Sequence, residues 1–181
     1  AYHRSSYAKP YEEYCREKFP SEAERIFDCA DAYYRSFVSN MPDIGKNMMA
    51  ANMLDWFTIL SFFEASDRRL GGEELLTIKR RAVERLAFLG KLVDGNKSRW
   101  PYKLFEKVYV RYDKKLKLHR ARGKWTCSWQ VEINPEQRTE GFAFRLIGCP
   151  IATHARENGY TELLPYLSKT DHFLAELMHT R

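Results

Sequence analysis

A cysteine at the corner between a predicted strand and a predicted helix is the residue best suited to chemistry in this sequence. Aromatic and aliphatic residues at 142–147 predict the strand, and 151–158 predict a short helix that Gly159 ends. Pro150 favours the first helical position, so Cys149 falls at or beside the N-cap. Unpaired N–H groups and the positive end of the helix dipole favour an anion there, which eases ionisation of the thiol. The pattern indicates a nucleophile.

Cys149 has a second interpretation, which the sequence leaves open. A buried cysteine packs as a small apolar residue, and Cys29 and Cys127 are both predicted to lie in the core, on the apolar faces of a helix and a strand. His154 is a poor partner for the thiol, because five residues place it more than one turn along the helix and well around its circumference. The sequence is therefore compatible with two roles for Cys149, a catalytic thiol and a buried thiol of the core.

The C-terminal segment supplies a second candidate for catalysis. Ser168 or Thr170 is predicted to begin the last helix, 171–181, and Asp171 borders its apolar stripe. A carboxylate in that position could act as a base or hold a substrate amine. The opposite face has the spacing of metal ligands but is expected to be solvated, so no metal is predicted for His172, Glu176 and His179.

Three residues are candidates for substrate binding. Arg145 shares a strand face with Cys149, but four residues of strand separate the two by roughly 13 Å, so Arg145 could hold only the far end of a ligand. Pro150 follows the thiol directly, and His172 follows Asp171.

Two kinds of hydrophobic period organise the chain around these residues. Helical periodicity dominates from about 7 to about 118. Within it, a helix from about 43 to 66 is apolar over so wide an arc that it is typical of a central helix or of an oligomer interface. The period then changes to two, and 124–133 and 140–148 predict an antiparallel hairpin.

These elements predict the fold class α+β. The 181 residues fit one helix-rich domain, 1–181, in which a small antiparallel β-hairpin packs beside the C-terminal helices within about 124–181. The chain begins at Ala1 and not at methionine, so a few N-terminal residues are expected to be missing.

The composition argues against several classes of protein. Hydrophobic residues make up 44% of the chain, which excludes a disordered protein. The positive charge excess lies in 111–124, which predicts a solvated basic face and not a nucleic-acid-binding protein. The longest apolar run, 53–63, is too short to cross a bilayer. Four cysteines without CxxC spacing indicate a reduced, cytoplasmic setting.

The C-terminal part of the chain resembles a known enzyme family. The resemblance lies in the stretches Gly148-Cys149-Pro150-Ile151, Asn158-Gly159-Tyr160-Thr161-Glu162-Leu163-Leu164-Pro165 and Asp171-His172-Phe173-Leu174-Ala175-Glu176. They are similar to the L-2-amino-thiazoline-4-carboxylic acid hydrolase family. The similarity is good over 140–181, and the length and the order of helices and hairpin also fit.

The resemblance implies a hydrolase that opens the ring of a cyclic amidine-like cysteine derivative to a carbamoyl-cysteine. The family's cysteine at the strand-to-helix corner matches Cys149, and its aspartate matches Asp171. Family members continue past the last helix into a Gly-containing segment with a further Cys-Asp pair, whereas this chain stops at Arg181, so a C-terminal truncation is expected.

Together these inferences predict a hydrolase that acts on a C–N or C–S bond of a small anionic heterocycle. Cys149 would attack or polarise the amidine carbon, Asp171 would act as base or hold the amine, and the helix N–H groups after Pro150 would stabilise the developing charge. The expected partner is a small-molecule substrate, with no cofactor, nucleic acid or membrane; a homo-oligomer fits the apolar helix. The alternative is a non-catalytic small-molecule-binding module of the same fold, in which Cys149 only lines the pocket.

Overall fold

Helices make up most of the described chain. The structure is a computed structural model, and it describes residues 2–5, 7–85, 100–135 and 143–177. The helices are α1 (Ala8–Lys18), α2 (Ala23–Ser39), α3 (Ala50–Ala65), α4 (Gly72–Glu84), α5 (Trp100–Arg120), α6 (Pro150–Glu157) and α7 (Leu164–Leu177), with 3₁₀ turns at Tyr2–Arg4 and Thr161–Leu163. The strands are β1 (Gln130–Ile133) and β2 (Phe144–Ile147). The predicted helix-rich α+β fold class is confirmed.

Helix α3 forms the centre of the core. All of its residues from Trp56 to Phe63 are buried, including Thr58 and Ser61. The hydroxyls of Thr58 and Ser61 donate to carbonyls one turn earlier in the same helix, at 3.0 and 2.6 Å, which satisfies them without a partner from another element. The wide apolar arc of the sequence therefore belongs to a central helix.

The segment before α3 is a loop, although the hydrophobic pattern predicts a helix from about 43. Gly45 has a φ of 71°, a left-handed conformation outside any right-handed helix. The Asn47 side chain accepts the Met49 N–H (2.9 Å) and donates to the Ile44 carbonyl (2.5 Å). These local bonds occupy backbone groups that a helix would use, so α3 begins only at Ala50.

The first residues of the chain are fixed against the core. Tyr2 packs edge-on against Phe62 of α3 with ring centroids 5.0 Å apart, and Tyr11 of α1 stacks on the same ring at 4.8 Å. Helix α2 packs along α3, and α7 packs along α4. Helix α1 also packs against α4, so the N-terminal segment lies beside both α3 and α4.

The first strand of the hairpin is shorter than predicted, because it begins only at Gln130. The two strands are antiparallel, with Val131 opposite Leu146, and the residues between them from 136 to 142 lie outside the described part. Residues 125–128 form turns because Asp43 binds their backbone: its carboxylate accepts the Trp125 N–H (2.7 Å) and its carbonyl accepts the Cys127 N–H (3.1 Å). The prediction that Cys127 lies in the core on a strand is therefore wrong, and Cys127 is exposed.

Helix α5 holds the hairpin in place. The Tyr112 hydroxyl of α5 lies 2.8 Å from the Ser128 hydroxyl and donates to the Trp129 carbonyl at 2.8 Å.

No described helix is both long and apolar enough to span a membrane.

Helix α7 is continuous through the point where the sequence predicts a helix start. The prediction that Ser168 or Thr170 begins a helix at Asp171 is wrong, because the Thr170 hydroxyl donates to the Leu167 carbonyl (2.7 Å) inside α7. Pro165 lies in the first turn, where a missing N–H costs no helical bond. Asp171 therefore lies in the interior of a helix and not at its N-terminus.

Candidate functional site

The strand-to-helix corner has the predicted geometry. Strand β2 ends at Ile147, and Gly148 follows with a φ of 65°, which costs other residues roughly 1 kcal/mol or more. Cys149 is extended (φ −101°, ψ 114°) and is the N-cap of α6, with Pro150 at the first helical position. The first helical bond runs from the Thr153 N–H to the Cys149 carbonyl at 3.0 Å.

Two backbone donors precede that first bond. The N–H groups of Ile151 and Ala152 belong to the first turn of α6, where N–H groups have no partner within the helix. Both residues line the same cavity as Cys149. The positive end of the helix dipole and these donors therefore favour a negative charge on the cavity side of Cys149.

This cavity combines charged and apolar walls, and we call it the Lys79 cavity. Its volume is about 470 Å³. It is lined by residues from the segment before α1, from the helices α3, α4, α6 and α7, and from the hairpin. Its charged members are Asp55, Lys79 and Arg156, and its largest apolar members are Trp56 and Trp129.

Lys79 carries a charge into the interior. Only 7% of the residue is exposed, and burial of an ammonium group costs several kcal/mol unless the surroundings compensate. Part of the compensation comes from Tyr7, because the Lys79 Nζ lies 3.8 Å from the centroid of the Tyr7 ring. The fold thus maintains a cation at one wall of the cavity.

A carboxylate lies in the same cavity. Asp55 of α3 accepts a hydrogen bond from the Ser5 hydroxyl (2.6 Å), and the same hydroxyl accepts the Tyr7 N–H (3.2 Å). Ser5 therefore links Tyr7, which contacts Lys79, to the Asp55 carboxylate. A cavity with fixed charges of both signs suits a ligand that is itself charged at both ends.

One part of the remaining wall is apolar and buried. Trp56 is 1% exposed and Trp129 is 2% exposed, and Ile59 and Met49 are also buried beside them. Charges attract one another more strongly next to such walls than in water, because the effective dielectric constant is lower. A small polar ligand would therefore gain much of its binding energy from Lys79 and Asp55.

His154 of α6 has a structural partner on α3. Its Nδ1 accepts a hydrogen bond from the Trp56 Nε1–H (3.3 Å), and the rings of Phe57 and Tyr160 lie 5.2 and 6.3 Å away. Burial lowers the pKa of His154 below its ordinary value. The neutral imidazole therefore fixes α6 to α3.

Cys149 also borders a second cavity of about 440 Å³, which we call the Cys127 cavity. Its lining is more polar and includes Arg120, Gln130 and Glu157 together with Cys127 and Cys149. Cys149 thus lies in the wall between the two cavities.

A family model matches most of the chain. The model described as L-2-amino-thiazoline-4-carboxylic acid hydrolase matches residues 46–181. The chain belongs to this family. Comparisons with curated proteins and with solved structures gave no match.

The L-2-amino-thiazoline-4-carboxylic acid hydrolase match extends well beyond the C-terminal motifs. It includes α3 and α4, which contribute Asp55 and Lys79, as well as the corner with Cys149. Ser5 and Tyr7 precede the matched region. The family region therefore contains the thiol and the charged walls of the Lys79 cavity.

Asp171, the second catalytic candidate in this hydrolase family member, lies on α7. It is one helical turn beyond Leu167 and Ser168, which line the Lys79 cavity. Its side chain is outside the part of the chain that the structure describes, so its role stays a prediction.

The three predicted substrate-binding residues are separated in the structure. Pro150 is buried and lines the Cys127 cavity next to Cys149. Arg145 lies on β2, 3.6 Å from the Glu132 carboxylate, and lines neither cavity that Cys149 borders. His172 is exposed on α7.

The described part of this hydrolase family member contains no group of three or more His, Cys, Asp and Glu side chains that could hold a metal ion. His179, one of the three residues with metal-ligand spacing, lies outside the described residues.

Neither Lys79 nor Asp55 is predicted as a site residue from the sequence, although a signal for each is present. Leu75, Lys79 and Val83 follow one another at four-residue intervals, so Lys79 occupies a position on the inward face of α4. Asp55 interrupts the apolar run 53–63. The hydrophobic periodicity assigns both positions to the core. An ionisable residue at such a position indicates a candidate functional site.

Proposed function

We propose that this chain hydrolyses a small cyclic amidine that carries a carboxylate, such as 2-aminothiazoline-4-carboxylate, and that Cys149 is the nucleophile. The observation that carries the proposal is that Cys149 lines one cavity together with the buried cation Lys79 and the carboxylate Asp55. The family's description names the same substrate class.

The charges of the Lys79 cavity complement such a substrate. Its carboxylate would bind to Lys79, with Arg156 of α6 also within the cavity lining. Its amidine, which is cationic when protonated, would bind to Asp55. The ring would lie against Trp56 and Trp129, which exclude water from the reacting carbon.

The reaction balances with water as the only other reactant. The Cys149 thiolate adds to the amidine carbon, the ring C–S bond breaks, and the departing sulfur takes a proton. Water then adds to the carbon attached to Cys149 and gives up a proton to a base, and the bond to Cys149 breaks. The product is the carbamoyl derivative of cysteine, and the thiolate is regenerated.

The first turn of α6 and Asp171 complete the proposed machinery. The N–H groups of Ile151 and Ala152 stabilise the thiolate and the negative charge that forms when it adds to a neutral amidine. Asp171 takes the proton from the water or holds the substrate amine. Pro150 shapes the corner. Arg145 lines neither cavity at Cys149 and His172 does not line the Lys79 cavity, so neither of them is proposed to contact the ring.

A non-catalytic binding module is the alternative function. Such a module would present a dry pocket without ionisable groups near the thiol. The Lys79 cavity contains Asp55, Lys79 and Arg156, and these ionisable groups favour the enzyme over the binding module.

The cysteines of the described chain are free thiols, which supports our proposal of a reduced, cytoplasmic setting.

Release of a free thiol from 2-aminothiazoline-4-carboxylate tests the function. Purified protein should produce the carbamoyl-cysteine, identified by mass spectrometry. Cys149→Ala should lower kcat by at least about a hundredfold. Lys79→Met should mainly raise KM, by roughly tenfold or more, because it removes one charged hydrogen bond to the carboxylate.

Cys127→Ser is the matched control for the thiol. Cys127 is exposed and lines only the more polar of the two cavities, so this variant should keep normal turnover. Turnover by Cys149→Ala at the rate of the unmodified protein would refute the nucleophile. Saturable binding of the compound without any turnover by the unmodified protein would support the binding module.

A further inference from the structure

A third cavity lies between α5 and the loop before α3, and its charges are all of one sign. We call it the Lys46 cavity; its volume is about 570 Å³. Its lining includes four cations: Lys46 from the loop, and Arg111, Lys114 and Lys115 from α5. It shares no lining residue with the Lys79 cavity or the Cys127 cavity.

The four cations are not explained by the fold alone. Arg111 lies three and four residues before Lys114 and Lys115, a spacing at which like charges destabilise a helix by roughly 0.2–0.5 kcal/mol per pair. None of the four makes an ion pair with an Asp or Glu among the described residues, whereas Lys117 on the same helix pairs with Asp113 at 2.6 Å.

The helix dipole does not account for them either. Its favourable effect on cations is confined to the last turn, and the basic residues of that turn are Lys117, His119 and Arg120. Arg111 lies more than two turns before the end of α5. The convergence of these charges with Lys46, which comes from a different element, therefore points to an anion between them.

Closely packed aromatic side chains form part of the lining of the Lys46 cavity. The Trp125 ring stacks on His119 with centroids 3.9 Å apart, and Gly45 approaches it so closely that a Cβ there would lie 2.1 Å from the indole. Beside it, Tyr112 is fixed by bonds to Ser128 and the Trp129 carbonyl. These contacts hold the loop with Lys46 against α5, so the backbone positions that carry the four exposed cations are fixed before a ligand arrives, which reduces the entropy cost of binding.

We propose that the Lys46 cavity binds a small phosphorylated molecule. Phosphate groups carry more than one charge and several acceptor oxygens, which match three ammonium groups and one guanidinium. The volume suits a diphosphate with an organic group, and Val108, Met48 and the edge of Trp125 offer an apolar surface to that group. This site is separate from the proposed hydrolytic site and does not depend on it.

Calorimetric titration of the full chain with inorganic pyrophosphate tests the site. We expect saturable binding of one pyrophosphate per chain at low ionic strength. Lys46→Gln together with Lys114→Gln should weaken the Kd at least tenfold. The matched control is Lys103→Gln together with Lys107→Gln, which removes the same charge from exposed positions of α5 outside the cavity and should change the Kd by less than twofold.

A single-stranded oligonucleotide separates a small-molecule site from a general polyanion surface. Its binding should be weak, should be lost at moderate salt, and should fall equally in both double variants, as nonspecific contacts do. Absence of pyrophosphate binding, equal weakening by the two double variants, or oligonucleotide binding that resists salt and depends on Lys46 and Lys114 would each overturn the proposal.

Discussion

The surroundings of each thiol determine its reactivity. Cys15 is fully buried, and burial, followed by the nearby Glu12 carboxylate, raises its pKa to about 12. Cys29 is half-buried on α2, and Cys127 is exposed in a turn. Only Cys149 combines partial exposure with the N-terminus of a helix among the described cysteines. Among the described cysteines, Cys149 is therefore the one that has first-turn helix N–H groups beside it.

We expect iodoacetamide at neutral pH to label Cys149 faster than Cys15 and Cys29. Cys127 is accessible and will also react, so the comparison is made in Cys127→Ser, with peptide mapping by mass spectrometry. Substrate should slow the labelling of Cys149, because the thiol lines the Lys79 cavity. Faster labelling of Cys15 or Cys29 would contradict the nucleophile assignment.

Asp171 lies in the interior of α7, and this changes what its substitution tests. A residue at a helix N-cap stabilises the helix through its side chain, but an interior residue does not. Both Asp171→Asn and Asp171→Ala should therefore leave the melting temperature nearly unchanged. If Asp171 is the base, each should lower kcat by roughly a hundredfold or more. Wild-type kcat in Asp171→Asn would remove Asp171 from the mechanism.

At the scale of elements, the half-buried His154, which joins α6 to α3, makes the free energy of unfolding depend on pH. His154 is neutral in the folded chain, where burial lowers its pKa. Below its ordinary pKa of about 6.5, the unfolded chain therefore binds a proton that the folded chain does not. The free energy of unfolding should fall as pH decreases from about 7 towards 5.

His154→Gln is the control for this pH dependence. Glutamine can still accept the Trp56 Nε1–H but does not titrate, so the decrease between pH 7 and 5 should become smaller. Thermal melts at both pH values measure the effect. An unchanged difference between the two pH values in His154→Gln would assign the dependence to other groups.

The elements that the sequence predicts well are those set by local chemistry. Gly148, Cys149 and Pro150 favour their observed conformations through their own backbone preferences, so the corner can be predicted without knowledge of the fold. The turns at 125–128 and the continuity of α7 through Asp171 depend on Asp43 and on helix packing, which are tertiary contacts. Local propensity yields to such contacts.

The candidate site was predictable only in part for the same reason. Cys149 could be selected from its neighbours in sequence. Lys79 and Asp55 reach the same cavity from α4 and α3, and no local signal states which buried charges will meet which thiol. Their positions within apolar stripes indicated that they were unusual, but not what they would contact.

At the scale of the whole molecule, the Lys79 cavity joins distant parts of the chain. Tyr7 contacts Lys79 from before α1, Trp129 comes from the hairpin, and Leu167 comes from α7. A ligand in this cavity would bind to surfaces that exist together only in the folded chain. It should therefore stabilise the fold as a unit.

Ligand binding should appear as a rise in melting temperature when turnover is blocked. In Cys149→Ala, 2-aminothiazoline-4-carboxylate at about 100 times its Kd should add about 2.7 kcal/mol to the free energy of unfolding. For a chain of this size, that corresponds to a rise of roughly 5–10 °C. Addition of Lys79→Met should remove about half of the rise or more at the same ligand concentration, because a tenfold weaker Kd leaves only about 1.4 kcal/mol of stabilisation. Pyrophosphate, which we place in the Lys46 cavity, is the internal control and should stabilise Cys149→Ala equally with and without Lys79→Met. An equal rise from the thiazoline compound in both backgrounds would mean that it binds outside the Lys79 cavity.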